Sequence, residues 1–202
     1  MNKKLLLRRL RGQRGYSLVE MLVVLVIMGT VTAALTTVFV NASNSELAMN
    51  NRFRAQQNAR LALDRIRREV HCSSSVVLGA AGSPSGPLAA KSVTLKLPSG
   101  CRAAAGAPLC SGSTTLKCVT WYTSGANSRF GLYRATGESV SGGSKYVDYL
   151  TLPNVFNYTV ATAGSRKLPK VNVDFPVNLK PPKNNNTYEL RDDIVLRNGT
   201  RA

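Results

Sequence analysis

Gly15-Tyr-Ser-Leu-Val-Glu20-Met-Leu-Val-Val-Leu25-Val-Ile-Met-Gly-Thr30-Val-Thr-Ala-Ala-Leu35-Thr-Thr-Val-Phe-Val40 is the stretch on which the fold turns. From Met21 to Val40 there are 20 residues without a charge. A helix rising about 1.5 Å per residue needs about that many to cross a hydrocarbon layer about 30 Å thick. No later segment is comparably apolar, so one span is expected. Ahead of it sit Lys3, Lys4, Arg8, Arg9, Arg11 and Arg14, with no acid among the first 15 residues, and the next cation is Arg52. The positive-inside rule therefore places Met1–Gly15 in the cytoplasm and the C-terminal bulk across the membrane.

Two details do not fit an ordinary secretory signal. The apolar run is longer than the usual 7–15 residues or so, and Thr32-Ala-Ala34 is not an A-x-A cleavage pattern. Glu20 also stands near the start of the run. A carboxylate held in a membrane helix costs on the order of 2–3 kcal/mol, less toward the interface, and calls for a partner. No basic residue within the span supplies one.

Arg14-Gly-Tyr-Ser-Leu-Val-Glu-Met-Leu22 resembles the processing site of type IV prepilins. The resemblance implies that a prepilin peptidase removes the basic leader, residues 1–15, by cutting between Gly15 and Tyr16 on the cytoplasmic side. It implies N-methylation of the new N-terminal residue, Tyr16, and retention of the apolar helix in the protein. Glu20 matches the family's glutamate, whose partner is the N-terminal amine of a neighbouring subunit, so it would set the assembly register. One departure is Tyr16, where the family most often has Phe; Tyr keeps the ring and adds a hydroxyl suited to an interface.

Outward from that stretch, no proline occurs before Pro84, and residues 41–72 read as an amphipathic continuation of the helix begun in residues 16–40. Ala48, Ala55, Ala59, Ala62, Leu63, Ile66 and Val70 recur at helical spacing, as expected of a stripe packed on the protein's own globular domain. Arg52, Arg60, Arg67 and Arg68 with Asp64 and Glu69 are placed on the other faces. Gly29 and the pairs Thr30/Thr32 and Thr36/Thr37 suit close approach of neighbouring helices.

Residues 73–202 read as a β-rich extracytoplasmic domain. Ser73–Lys91 is expected as a loop, and Lys180–Asn186 as an exposed turn. Strands are expected over Ser92–Leu97, Leu116–Tyr122, Phe130–Arg134, Tyr146–Leu152, Val155–Val160, Val171–Val177 and Tyr188–Leu196, separated by Gly, Pro, Ser and Asn. The fold class is α+β: a long N-terminal helix on an antiparallel sheet, pilin-like. The helix end Arg60–Val70 and the terminal Val195-Leu-Arg-Asn198 further resemble PilW-type minor pilins and J-type minor pseudopilins.

Cys72, Cys101, Cys110 and Cys118 all fall on the outer side, where disulfides persist. Four cysteines allow three pairings. Cys101 and Cys110 flank the Ala-, Gly- and Pro-containing loop Arg102–Leu109, which favours joining them and leaves Cys72 for Cys118. Metal binding is disfavoured, because there is no Cys-x-x-Cys and His71 is the only histidine.

No catalytic constellation is visible. His71 beside Cys72 has no recognisable third member and reads as a solvated helix-end residue. Asp192-Asp193 reads as a solvated strand face, and Gly142-Gly143 as a turn. No cofactor is implied.

Charge is the remaining signal. The whole chain carries +17, and residues 73–202 hold 15 Lys and Arg against 6 Asp and Glu, a net +9. Lys117, Arg129 and Arg134 lie near Trp121, Tyr122, Phe130 and Tyr133, a combination able to contact phosphates and stack bases. Filaments of the resembled family take part in DNA uptake. Against that stand core aromatics and solvated charges, or charges facing acidic neighbouring pilins.

The expectation is thus a minor pilin. It would be a single-pass inner-membrane protein with its C-terminal domain outside, drawn into a cell-surface or periplasmic filament with other pilins by an inner-membrane assembly platform. The high charge is unsuited to close packing of thousands of copies, which favours a minor subunit. Alternatives are a type II secretion pseudopilin, a tip or competence pilin that binds DNA or a surface, and an unprocessed membrane-anchored surface protein.

Overall fold

A computed structural model describes residues 15–79, 90–160, 168–179 and 187–198. The leader before Gly15, residues 80–89 of the expected loop and the whole of the expected turn Lys180–Asn186 lie outside the described residues. The chain divides into two compact units, Met1–Met49 and Asn50–Ala202. One helix, α1 (Leu18–Cys72), starts in the first and ends in the second.

In the first unit α1 is apolar and exposed, with Leu18, Leu25, Val38 and Phe39 among the uncovered side chains. It is long and apolar enough to cross a membrane. Its threonines do not spoil that surface. Thr30 donates its hydroxyl to the Ile27 carbonyl (2.9 Å), Thr32 to Met28 (2.7 Å), Thr36 to Thr32 (2.8 Å) and Thr37 to Ala34 (2.7 Å). Each hydroxyl is satisfied one turn back, so none is presented unbonded to an apolar medium.

In the second unit the end of α1 packs on a curled antiparallel sheet, giving the expected α+β, pilin-like architecture. The helix buries Ala55, Ala59, Ala62, Leu63, Ile66, Glu69 and Val70, a stripe at 3–4 residue spacing. The strands are β1 (Ser75–Leu78), β2 (Ser92–Pro98), β3 (Leu116–Ala126), β4 (Arg129–Thr136), β5 (Ser144–Leu150), β6 (Phe156–Thr159), β7 (Lys170–Val177) and β8 (Tyr188–Val195). β1 to β5 form a meander in chain order, each antiparallel to the next. β7 pairs along its length with β8, while its other edge is shared, β6 opposite Lys170–Val173 and β5 touching only at Leu150–Val177.

Alternation explains which side chains enter the core. Val93, Leu95 and Leu97 of β2, Val119 and Trp121 of β3, Leu132 of β4 and Val171, Val173 and Phe175 of β7 join α1 in one apolar cluster. Fully buried Trp121, Phe156, Phe175 and Ile66 each contribute about 1.5–3 kcal/mol by leaving water. The β3–β4 turn, Asn127-Ser128, has φ of 53° and 58°. That is the two-residue I′ geometry whose twist matches the flanking strands.

One segment departs from expectation. Residues 75–78 were expected within a loop and instead form β1, in register with β2 from Ser75–Lys96 to Leu78–Val93. Val76 and Leu78 reach the core, which outweighs the turn-forming composition around them.

Candidate functional site

Gly15, Tyr16 and Ser17 precede α1 without helical or strand structure, and the first helical bond runs from the Met21 N–H to the Ser17 carbonyl (3.1 Å). Tyr16 is 77% exposed. A Cβ added at Gly15 would meet nothing within 4 Å, and its φ is not in the left-handed region. The chain's own fold therefore does not require glycine there, so any demand for it comes from a molecule that grips this segment closely.

Glu20 lies in the first turn of α1, exposed, with Val19 and Met21 on either side. Among the described residues it makes no hydrogen bond or ion pair. A carboxylate near the N-terminus of a helix is favoured by the local dipole. That effect does not supply the specific cation an apolar surround demands. Gly15, Tyr16 and Glu20 thus present an accessible peptide bond followed by an unpartnered acid, both ahead of an apolar surface.

A second polar cluster lies in the second unit, and it corrects the expectation that Glu69 lies on a face other than the packed stripe. Glu69 is 1% exposed. Its Oε2 accepts from Trp121 Nε1 at 2.7 Å, and its Oε1 accepts from Arg134 Nε at 2.8 Å and Arg65 Nε at 3.4 Å. Arg134 donates a further bond to the Ala103 carbonyl (3.1 Å). The spacing held the signal: 55, 62 and 69 differ by seven, so Glu69 shares the stripe of Ala55 and Ala62. The ion pair ties α1 to β3 and β4.

This cluster also changes the outlook for a nucleic-acid surface. Arg134, one of the three expected contacts, is held by Glu69. Lys117 stands near the start of β3, whereas Arg129 pairs with Ala126 at the other end. Nine residues of strand separate those positions, roughly 30 Å at about 3.3 Å each. Arg129 stacks over the Tyr149 ring at 4.8 Å. Trp121 is buried in the core, and Tyr122 stacks on Tyr133 at 5.4 Å while its hydroxyl accepts from the Gly143 N–H. The three cations are not brought together, and the aromatics around them are engaged.

The cysteines pair as Cys72–Cys101 and Cys110–Cys118, which corrects the favoured Cys101–Cys110 and Cys72–Cys118. Pairing of Ser75 with Lys96 at one end of the β1–β2 hairpin brings the residues before β1 beside those after β2, hence Cys72 beside Cys101. Between Cys101 and Cys110 a 3-10 turn (Arg102–Ala104) and a bridge from Leu109 to Lys117 lay Cys110 against β3. Cys110, Cys118 and Glu138 come within 4.8 Å of one another, but the two sulfurs are bonded to each other and are not thiolate ligands.

His71 Nδ1 lies 2.9 Å from the Val195 carbonyl, so it fastens the helix end to β8. Asp192 pairs with Arg67 at 2.8 Å and Asp193 with Lys170 at 2.7 Å. The bond from Lys170, then one from Asn172, holds the Asp193 carboxyl below its ordinary range.

The prokaryotic N-terminal methylation motif matches residues 10–36. The match spans Gly15, Tyr16, Glu20 and most of the apolar stretch. With the long apolar helix, it supports a type IV prepilin-like protein. The motif implies processing by prepilin peptidase and assembly with other pilins, and it indicates a structural rather than an enzymatic class. Neither a curated protein nor a solved structure is detectably similar to the chain.

Proposed function

We propose that the chain is a minor pilin, a low-copy structural subunit of a type IV pilus-like filament. Cleavage after Gly15 frees the Tyr16 amine, which is then N-methylated. Met21–Val40 anchors the subunit in the inner membrane with the β-rich domain outside, then moves into the apolar centre of the filament. Glu20 pairs with the amine of a neighbouring subunit, so each carboxylate is satisfied only when the next subunit docks in register. Repetition of that head-to-tail contact does not close, and it yields a fibre.

The observation that carries the reading is a Glu20 without a partner among the described residues, five residues after an exposed Gly15 inside the methylation motif. The test is Glu20→Gln in cells that assemble the filament. The variant is expected to be processed and to remain in the membrane, with its amount in sheared filaments falling about tenfold or more, as for loss of a desolvated charge pair. Wild-type incorporation of the variant would refute the register role.

A further inference from the structure

The second unit contains a cavity of about 660 Å³ beside the buried Glu69. Arg65 and Arg68 from the end of α1 and Arg102 from the 3-10 turn line it, and the Cys72–Cys101 disulfide forms part of its wall. Glu69 also reaches the lining, yet its carboxylate is already bonded to Trp121 and Arg134. Arg65 is partly committed, 3.4 Å from Glu69 and 5.2 Å above the Tyr146 ring. Among the described residues the guanidinium groups of Arg68 and Arg102 make no hydrogen bond or ion pair, and both residues are exposed. Two guanidinium forks, each shaped to hold a carboxylate bidentately, thus line one cavity with no counter-charge of their own.

The chain is poorly placed to supply that counter-charge from a second copy. It has ten Asp and Glu in all. Asp64, Glu69, Asp148, Asp174, Glu189, Asp192 and Asp193 are in ion pairs, which leaves three others against a net charge of +17. Another copy would bring mainly more positive charge. A nucleic-acid strand would need a groove that follows its backbone and rings free to stack. Trp121 is fully buried, and Tyr146 lies beneath Arg65.

We propose that this cavity is a docking pocket for an acidic segment of a different polypeptide, its Asp or Glu carboxylates gripped by Arg68 and Arg102 with Arg65 at the side. The disulfide joins the helix that carries Arg65 and Arg68 to the turn that carries Arg102. The pocket is therefore set before binding, and less ordering is lost when the partner arrives. The inference rests on the second unit alone and holds whether or not the N-terminus is processed.

The test uses the full chain in neutral detergent and a fluorescein-labelled hexaglutamate peptide, followed by anisotropy at low salt. Arg68→Gln with Arg102→Gln is expected to weaken binding about tenfold or more, and Arg102→Gln alone several-fold. Arg52→Gln with Arg54→Gln removes the same charge from exposed positions of α1 outside the cavity, and is expected to change binding less than about twofold. Thermal unfolding of the variants should match wild type, because neither the Arg68 nor the Arg102 guanidinium bonds to another of the described residues. Equal loss in both double variants, or no binding by wild type, would overturn the pocket. Tighter binding of a thymidine oligonucleotide that is lost in the Arg68/Arg102 variant would overturn the acidic-peptide assignment. So would displacement of the peptide by equimolar inorganic phosphate.

Discussion

Glu69→Ala is expected to be the most damaging single change to the outer domain outside its apolar core. It removes the acceptor 2.7 Å from Trp121 Nε1 and the counter-charge 2.8 Å from Arg134, whose side chain is 11% exposed. An indole N–H left unbonded in the core costs about 1–3 kcal/mol. Breaking a buried ion pair from one side costs about 3–5 kcal/mol in all, since the guanidinium loses its counter-charge and keeps only the Ala103 carbonyl. Both losses occur in one small volume and do not add, so about 3–5 kcal/mol is the expected total. Arg65, with a side chain 41% exposed and 3.4 Å away, contributes less than about 1 kcal/mol. A total of that size is a large part of the roughly 5–15 kcal/mol that holds a domain folded. Trp121 is the only tryptophan, so its fluorescence during urea unfolding of the detergent-solubilised chain reports the site directly. Glu69→Gln keeps an acceptor for the indole and should fall between wild type and Ala. Glu69→Leu combined with Arg134→Met should recover only part of the loss, because it removes the stranded guanidinium but leaves the Trp121 indole N–H unbonded, a remaining deficit of about 1–3 kcal/mol. A loss below about 1 kcal/mol in Glu69→Ala would refute the idea that this carboxylate fastens α1 to the sheet.

Three further outcomes are expected. Non-reducing proteolysis with mass spectrometry should recover Cys72 linked to Cys101; replacing that pair by Ser, across a sequence separation of 29, should cost about 3–4 kcal/mol, against about 2–3 kcal/mol for Cys110–Cys118 across 8, with equal losses counting against the assignment. Ser128→Gly should raise stability by about 0.5–1 kcal/mol in thermal unfolding, because both residues of the I′ turn have positive φ and only the second lacks a residue suited to it; a loss would refute the turn geometry. Burial, opposed by Arg191, raises the Asp174 carboxyl above its ordinary value of 3.8, and its Oδ1 is buried without a hydrogen bond from any described residue. A raised carboxyl disfavours the folded state when ionised, and that cost is lifted as pH falls through the folded value. Asp174→Asn should therefore be the more stable protein at pH 7, with the gap closing as the pH approaches 4. A variant less stable at pH 7 would show that the 3.0 Å pair with Arg191 outweighs burial.

Much of the architecture was legible because periodicity reports burial. The apolar run, the helical stripe at Ala55, Ala59, Ala62 and Ile66, and seven strands all came from spacing, with strand ends displaced by no more than four residues. Where spacing was overruled by composition, the outcome differed. β1 was hidden among Ser and Gly, although Val76 and Leu78 alternate as a strand requires. Glu69, grouped with the charged residues of the other faces, sits at a stripe position and points inward. The disulfides turned on which strand ends meet, a long-range property set by the Ser75–Lys96 register and the Leu109–Lys117 bridge, neither of which nearest-neighbour loop closure contains. Of the candidate sites, the N-terminal motif was legible because it is local, an accessible bond followed five residues later by an acid. The basic-aromatic grouping is not brought together in the fold, because Arg134 is held by Glu69 and Lys117 and Arg129 lie toward opposite ends of β3 and β4.

The most direct test of the account is the intact mass of the N-terminal peptide of the chain extracted from membranes of cells with an active prepilin peptidase. The account predicts a chain that starts at N-methylated Tyr16. A chain that starts at Met1 and carries the whole basic leader would contradict it, leaving a membrane-anchored domain with no place in a filament.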